Sequence, residues 1–282
     1  LLGPLLAASS VSACTVEKLD DEHRVEAAER TDARACRTAD PTERKWTAWY
    51  RDTLDSESFA HFANCQAWEC ATVETPGIDH LKAALNLSAE AIEADKAGAR
   101  DRAQPNLLGT RAVLSYRLGR RAESRDRETS LLDRALRLQT TALARSLKEG
   151  RSRFRTGFAG EILRFVEYCR GRPCGSEIFR TPGDGLQLEV SQSGRGVRVT
   201  NDRQTAAIIV AINGSAEQGS DAAPANEVLY GCIAAGQQSV TKVEHDWSSS
   251  GARWLRTEPV DDCTATGVTA ATMPRKVAEY PN

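Results

Sequence analysis

Apolar residues recur along this chain with two different periods, and the switch between them divides it. Through the first part they return every three or four positions. Phe59, Phe62 and Ala63 share one face, Leu81, Ala84, Leu85 and Ile92 a second, and Leu132, Ala135, Leu136, Leu143 and Leu147 a third, which is helical spacing. Gly98, Gly119, Gly150 and Gly171 stand where helix C-termini call for glycine. The helical region is predicted to open at Asp40-Pro41-Thr42-Glu43, which offers an N-cap acceptor, proline at the first helical position and glutamate three after the cap. Trp46, Trp49, Tyr50 and Leu54 follow at helical spacing, as a core row or as an exposed anchor for a partner.

After Pro173 and the loop TPGDG the period becomes two. Leu186, Leu188 and Val190 alternate with polar residues, Val197 and Val199 follow, and AAIIVAI at 206–212 reads as a buried strand ending at the turn signal Asn213-Gly214. Further strands are predicted at 228–234, 239–245 and 252–257, with the residues from about Thr266 loosely held. The fold class is therefore α+β in two domains. An all-α helical-repeat or bundle domain spans 40–175, and a small antiparallel β-sandwich spans 176–282.

The helical part carries an internal repeat. LKAALNLSAEAI at 81–92 aligns with LDRALRLQTTAL at 132–143, and LLGTRAVLSYRLGR at 107–120 with FAGEILRFVEYCRGR at 158–172, an offset of about 51 residues. Such a period suits αα units that bury their apolar faces by stacking. YRLGRRAESRDRETSLLDRALRL resembles a tetratricopeptide unit in its Tyr-x-x-Gly-x-x-Ala beginning and Ala-Leu ending, with the spacing from Gly119 to Ala135 about four residues longer than that pattern has. The resemblance implies a stacked-hairpin scaffold for binding.

LLGPLLAASSVSAC, at the start, holds no charge and is too short to cross a bilayer. Small residues at Ser12 and Ala13 precede Cys14, and this segment resembles the lipobox of bacterial lipoproteins. The resemblance implies that 1–13 is a truncated signal peptide and that Cys14 is the lipidated first residue of the mature chain. It also implies a site at the periplasmic face of the outer membrane or the cell surface, because Thr15 is not Asp. Ordinary secretory cleavage and a buried first helix are the other readings. Residues 14–39 are mostly charged and read as a tether.

Composition fits folded domains: 282 residues, 40% hydrophobic and 27% charged. Eight cysteines suit an oxidising compartment, and neighbours in sequence suggest the bridges Cys65–Cys70, Cys169–Cys174 and Cys232–Cys263, with Cys36 left over if Cys14 carries lipid. The net charge of −2 hides an uneven distribution: residues 15–99 carry 10 basic and 18 acidic groups, 100–172 carry 18 and 8, and 173–282 carry 9 and 13. The basic middle offers Arg111, Arg117, Arg120, Arg121, Arg125 and Arg127, with Arg134 and Arg137 beyond, on helices whose apolar stripes face inward. Guanidinium groups bind carboxylate and phosphate in two-pronged fashion, so an acidic envelope protein, an anionic glycan or a lipid headgroup fits. Nucleic acid is not expected, since no reading motif accompanies the charge. Glu123 with Arg127, Asp133 with Arg137 and Glu149 with Arg153, each four apart, describe equally well a merely solvated helix.

No catalytic set emerges. His61, Cys65 and Cys70 lack a fourth metal ligand, so no metal is expected. Glu244-His245-Asp246 puts the acids on the face opposite the histidine, and the glycines of GDG and GRG lack the Lys-Ser/Thr of a phosphate loop. The sequence thus points to a non-catalytic, lipid-anchored binding or assembly module without a cofactor. The alternative is a secreted or periplasmic hydrolase of envelope polymers with Glu161 or Glu167 as its acid.

Overall fold

A computed structural model of the protein describes residues 51–72, 76–98, 103–169, 185–213, 227–244, 247 and 252–274. The segment around Cys14, the tether, the Asp40 cap, the Trp46–Tyr50 cluster, Cys36, Gly171, Cys174 and His245 lie outside them. Among the described residues the fold is α+β, with helices first and two antiparallel sheets after. The chain divides into two compact units between Leu118 and Gly119.

The first unit is helical. α1 (Ser56–Thr72) starts at Asp55, whose carboxylate accepts the Ser58 N–H at 2.8 Å and so satisfies one of the orphan donors of the first turn. α2 (Ile78–Ala97) packs along α1 and buries Leu81, Ala84, Ser88, Ala91, Ile92 and Asp95, a stripe at helical spacing. Asp95, 2% exposed, accepts the Gln104 backbone N–H at 2.8 Å and its side-chain amide at 2.9 Å. The end of α2 is thereby fixed to the start of α3 (Pro105–Gly119), which opens on proline, where the missing N–H costs nothing.

The second unit begins with α4 (Arg125–Lys148). Ser124 caps it by accepting the Arg127 N–H at 3.4 Å, and Arg145 and Lys148 in the last turn complement the helix dipole. The helix closes in a Schellman turn: Arg151 N–H donates to the Ser146 carbonyl at 2.8 Å and Gly150 N–H to Leu147 at 3.1 Å, with Gly150 at φ 70°. Of the four glycines expected at caps, this one takes the left-handed conformation. Gly98 caps α2 at φ −75°, and Gly119 is the last residue of α3. A single 3-10 turn (Ser152–Phe154) leads into α5 (Arg155–Cys169), which packs on α4.

Among the described residues seven strands follow: β1 (Leu186–Val190), β2 (Gly196–Asn201), β3 (Ala206–Asn213), β4 (Glu227–Ile233), β5 (Gln237–Lys242), β6 (Ala252–Val260) and β7 (Ala270–Pro274). One sheet runs β1-β2-β5, the other β6-β3-β4-β7. Alternate residues of both meet in one hydrophobic cluster, including Leu186, Val197 and Val199 from the first, and Ala207, Ile209, Ala211, Leu229 and Trp254 from the second. The intervening residues of β3 and β4 turn the other way, and α4 and α5 contact these strands and β6. Both faces of the central strands are covered, which is why β3 and β4 are buried at every position and why AAIIVAI has no polar partner in its alternation.

Two expectations are corrected. The segment from Thr266 to Pro274 is not loosely held, for Ala270–Pro274 pairs with β4, while 275–282 lie outside the described residues. Gly231 permits this approach, since a Cβ there would lie 2.4 Å from the Thr269 carbonyl oxygen. Nor does Cys65 pair with Cys70. Cys65 is a buried thiol that belongs to no disulfide, while Cys70 is disulfide-bonded. Residues five apart on one helix have Cα atoms about 8.7 Å apart and point to different sides, beyond the reach of a disulfide. The bridge Cys232–Cys263 is formed as expected.

Candidate functional site

The arginines of the basic middle separate into two groups. Arg111 and Arg117 belong to the first unit and turn inward. Arg111 Nη1 donates to the Leu85 carbonyl at 3.1 Å and to Ser88 Oγ at 3.4 Å, and Arg117 Nη1 donates to the Ala71 carbonyl at 2.6 Å. Both serve as interhelical ties. Arg120, Arg121, Arg125 and Arg127 are exposed, in the turn before α4 and in its first turn, and Arg134 and Arg137 continue the exposed series along the helix. Arg120 lies over the Tyr168 ring, 5.2 Å from its centroid. Tyr168 in turn donates to Glu128 at 3.2 Å.

The expected pairing of Glu123 with Arg127 is not made. Glu123 precedes the N-cap and is not on the helix, so the spacing that would join them across one turn does not apply. Among the described residues no carboxylate pairs with Arg125, Arg127 or Arg134. Arg127 and Arg134, seven apart, share one side of α4 about 10.5 Å from each other along its axis. Cations in the first turn oppose the helix dipole, so Arg125 and Arg127 are not placed there for the helix's sake. The result is an arginine-rich surface on a rigid element, with guanidinium groups facing solvent and Asp126 exposed between Arg125 and Arg127.

No family model, curated protein or solved structure matches the chain. Its function is read from side chains alone.

Glu161 and Glu167, each named as the acid of a hydrolase, both lie on α5. Six residues apart on α5, they point about 120° away from each other. Glu161 is 9% exposed, burial holds its carboxyl above the usual range against the pull of Arg164, and its Oε2 accepts no well-formed hydrogen bond but lies 3.5 Å from Arg164 Nη1 in an ion pair. His61 Nε2 lies 3.9 Å from Cys65 Sγ. Among the described residues no group of three or more His, Cys, Asp or Glu side chains is placed to hold a metal, and no helix is long and apolar enough to cross a membrane. Cys169 is disulfide-bonded, and its expected partner Cys174 lies outside the described residues.

Two buried polar centres escaped the sequence. Glu227, at the start of β4 and wholly buried, accepts the Trp247 indole N–H at 3.0 Å and the Glu244 backbone N–H at 3.2 Å, which pins the segment after β5 to the core. Arg155, 5% exposed, opens α5, which packs on β4; burial lowers its pKa and raises that of Tyr230 on β4, and each group partly offsets the other's shift. In RSRFRTGF, at 151–158, nothing distinguishes Arg155 from its exposed neighbours.

Proposed function

We propose that the chain is a non-catalytic cell-envelope lipoprotein, anchored through Cys14, that binds an anionic partner through the exposed arginines around the start of α4. The observation that carries the binding reading is that Arg125, Arg127 and Arg134 are exposed and without a carboxylate partner among the described residues. Planar guanidinium groups held on one helix suit a surface bearing repeated carboxylate or phosphate groups, such as an acidic envelope protein, an anionic glycan or lipid headgroups. Disulfide-bonded Cys70, Cys169, Cys232 and Cys263 support an oxidising compartment.

Sedimentation of the full chain with phosphatidylglycerol vesicles and its retention on a sulfated-glycan resin test this reading. Binding is expected to weaken as salt rises and to vanish in Arg125→Glu/Arg127→Glu/Arg134→Glu, with the unfolding midpoint unchanged. Equal binding by wild type and the triple variant would reject it. An intact mass showing acyl groups on Cys14 supports the anchor, and an unmodified Cys14 after export removes it. Turnover of envelope glycans that disappears in Glu161→Gln would favour the hydrolase instead.

A further inference from the structure

Arg155 is a buried cation without a counter-charge. It is 5% exposed, and its Nη2 reaches the Ser146 carbonyl at 3.5 Å. That oxygen already accepts the Arg151 N–H at 2.8 Å in the Schellman turn. Nε has no hydrogen-bond partner, and no carboxylate pairs with the guanidinium among the described residues. The Tyr230 hydroxyl, on a side chain 8% exposed, is likewise not engaged by any described residue. Buried charges in proteins are ordinarily paired, and an unpartnered buried donor commonly marks a water or ion.

We propose that Arg155 and Tyr230 form an internal binding site for a compact monoanion, a halide or a small carboxylate. One guanidinium charge is neutralised by one negative charge, so a dianion such as sulfate is disfavoured. Burial raises the Tyr230 pKa, keeping the phenol protonated and able to donate a second hydrogen bond.

The test is thermal unfolding of the full chain at constant ionic strength, with gluconate replaced stepwise by chloride or acetate, alongside the chlorine-35 linewidth of the wild type. The midpoint is expected to rise and saturate with chloride or acetate, and to show no saturable rise with sulfate. Acetate is expected to displace the excess chloride broadening. Arg155→Gln is expected to abolish the saturable rise. Tyr230→Phe keeps the ring and is expected to raise the half-saturating concentration about tenfold, the loss of one hydrogen bond to a charged group. A shift of equal size in wild type and Arg155→Gln, or a wild type without displaceable broadening, would overturn the proposal. If Arg155→Gln does not fold, an unchanged half-saturation in Tyr230→Phe would overturn it as well.

Discussion

Replacing Asn201 with aspartate should harm this protein more than cutting the side chain back to alanine. Asn201 ends β2 with no exposed surface and holds two turns together. Its amide nitrogen donates to the carbonyls of Thr205 at 3.0 Å, Ile233 at 3.0 Å and Ala234 at 3.2 Å, and its oxygen accepts the Arg203 N–H at 3.2 Å. In Asn201→Ala the Thr205 and Ala234 carbonyls, on exposed residues, can turn to water, at about 0.5–1 kcal/mol each for the exchanged bond. The Ile233 carbonyl sits on a wholly buried residue and bears a desolvation cost of about 1–3 kcal/mol. The total is about 3 kcal/mol. In Asn201→Asp the shape is nearly conserved, but an anion replaces the donor among three carbonyl oxygens, so the loss should reach about 4–5 kcal/mol near neutral pH. Below the ordinary carboxylate pKa the protonated acid can donate once, and the gap to alanine should close. Denaturant titration followed by fluorescence reports this directly, because Trp247 and Trp254 lie in the core between the two sheets. An aspartate variant as stable as the alanine variant at neutral pH would refute the claim that the side chain acts here as a donor to buried carbonyls.

Glu161→Gln tests the buried acid of α5. Burial raises its folded pKa, so the stability it contributes is complete below its unfolded value of 4.5 and is lost as pH rises through the folded value. The glutamine variant should match wild type in acid and exceed it at neutral pH and above. A variant weaker than wild type at neutral pH would show that the ion pair with Arg164 outweighs the cost of burying the carboxylate. Removing the Cys232–Cys263 bridge by a double serine substitution opens a loop of 31 residues, for which chain entropy predicts a loss of about 3.7 kcal/mol. Unfolding with and without the bridge measures it, and an unchanged midpoint would refute that figure. Arg117→Ala strips a 2.6 Å bond from the Ala71 carbonyl and should cost about 1–2 kcal/mol. Arg127→Ala should change stability by less than about 0.5 kcal/mol, so equal effects in the two variants would contradict the division of the arginines. Gly231→Ala forces a methyl against the Thr269 carbonyl and should lower the midpoint while β7 loses amide protection. Full protection of β7 in that variant would contradict the role given to Gly231.

Much of the fold could be read from the residues because its signals are local. Leu186, Leu188 and Val190 alternate as a half-buried strand must, and Gly150 stands one position past the last helical cap residue. Sequence distance misled where space does not follow it. Cys65 and Cys70 are close along the chain and far apart on a helix, whereas Cys232 and Cys263 are distant along the chain and joined. β7 was hidden because Ala270-Ala271-Thr272 has weak strand character and owes its pairing to a glycine on another strand. The apolar stripe of α4 looks the same whether a helix or a sheet covers it. The unbroken run AAIIVAI carried the clue, since a strand with one wet face alternates. For the binding surface, charge density alone marked the arginines, and only tertiary hydrogen bonds could remove Arg111 and Arg117 from the set. Arg155 gave no signal at all, its distinction being burial.

β3 has a further consequence before folding is complete. Ala206–Ile212 is apolar, rich in β-branched residues and free of charge and proline, the composition that stacks into aggregates when its edges are open. In the folded chain β4 and β6 occupy both edges, and helices and the second sheet cover both faces. β6 lies some forty residues further along the chain. Until it has been made and has docked, the stickiest segment of the protein has an unguarded edge. Substitutions that delay β6, such as those at Trp254 or Arg256, should therefore show first as lost yield and inclusion bodies, before any lowered midpoint is seen in the molecules that fold.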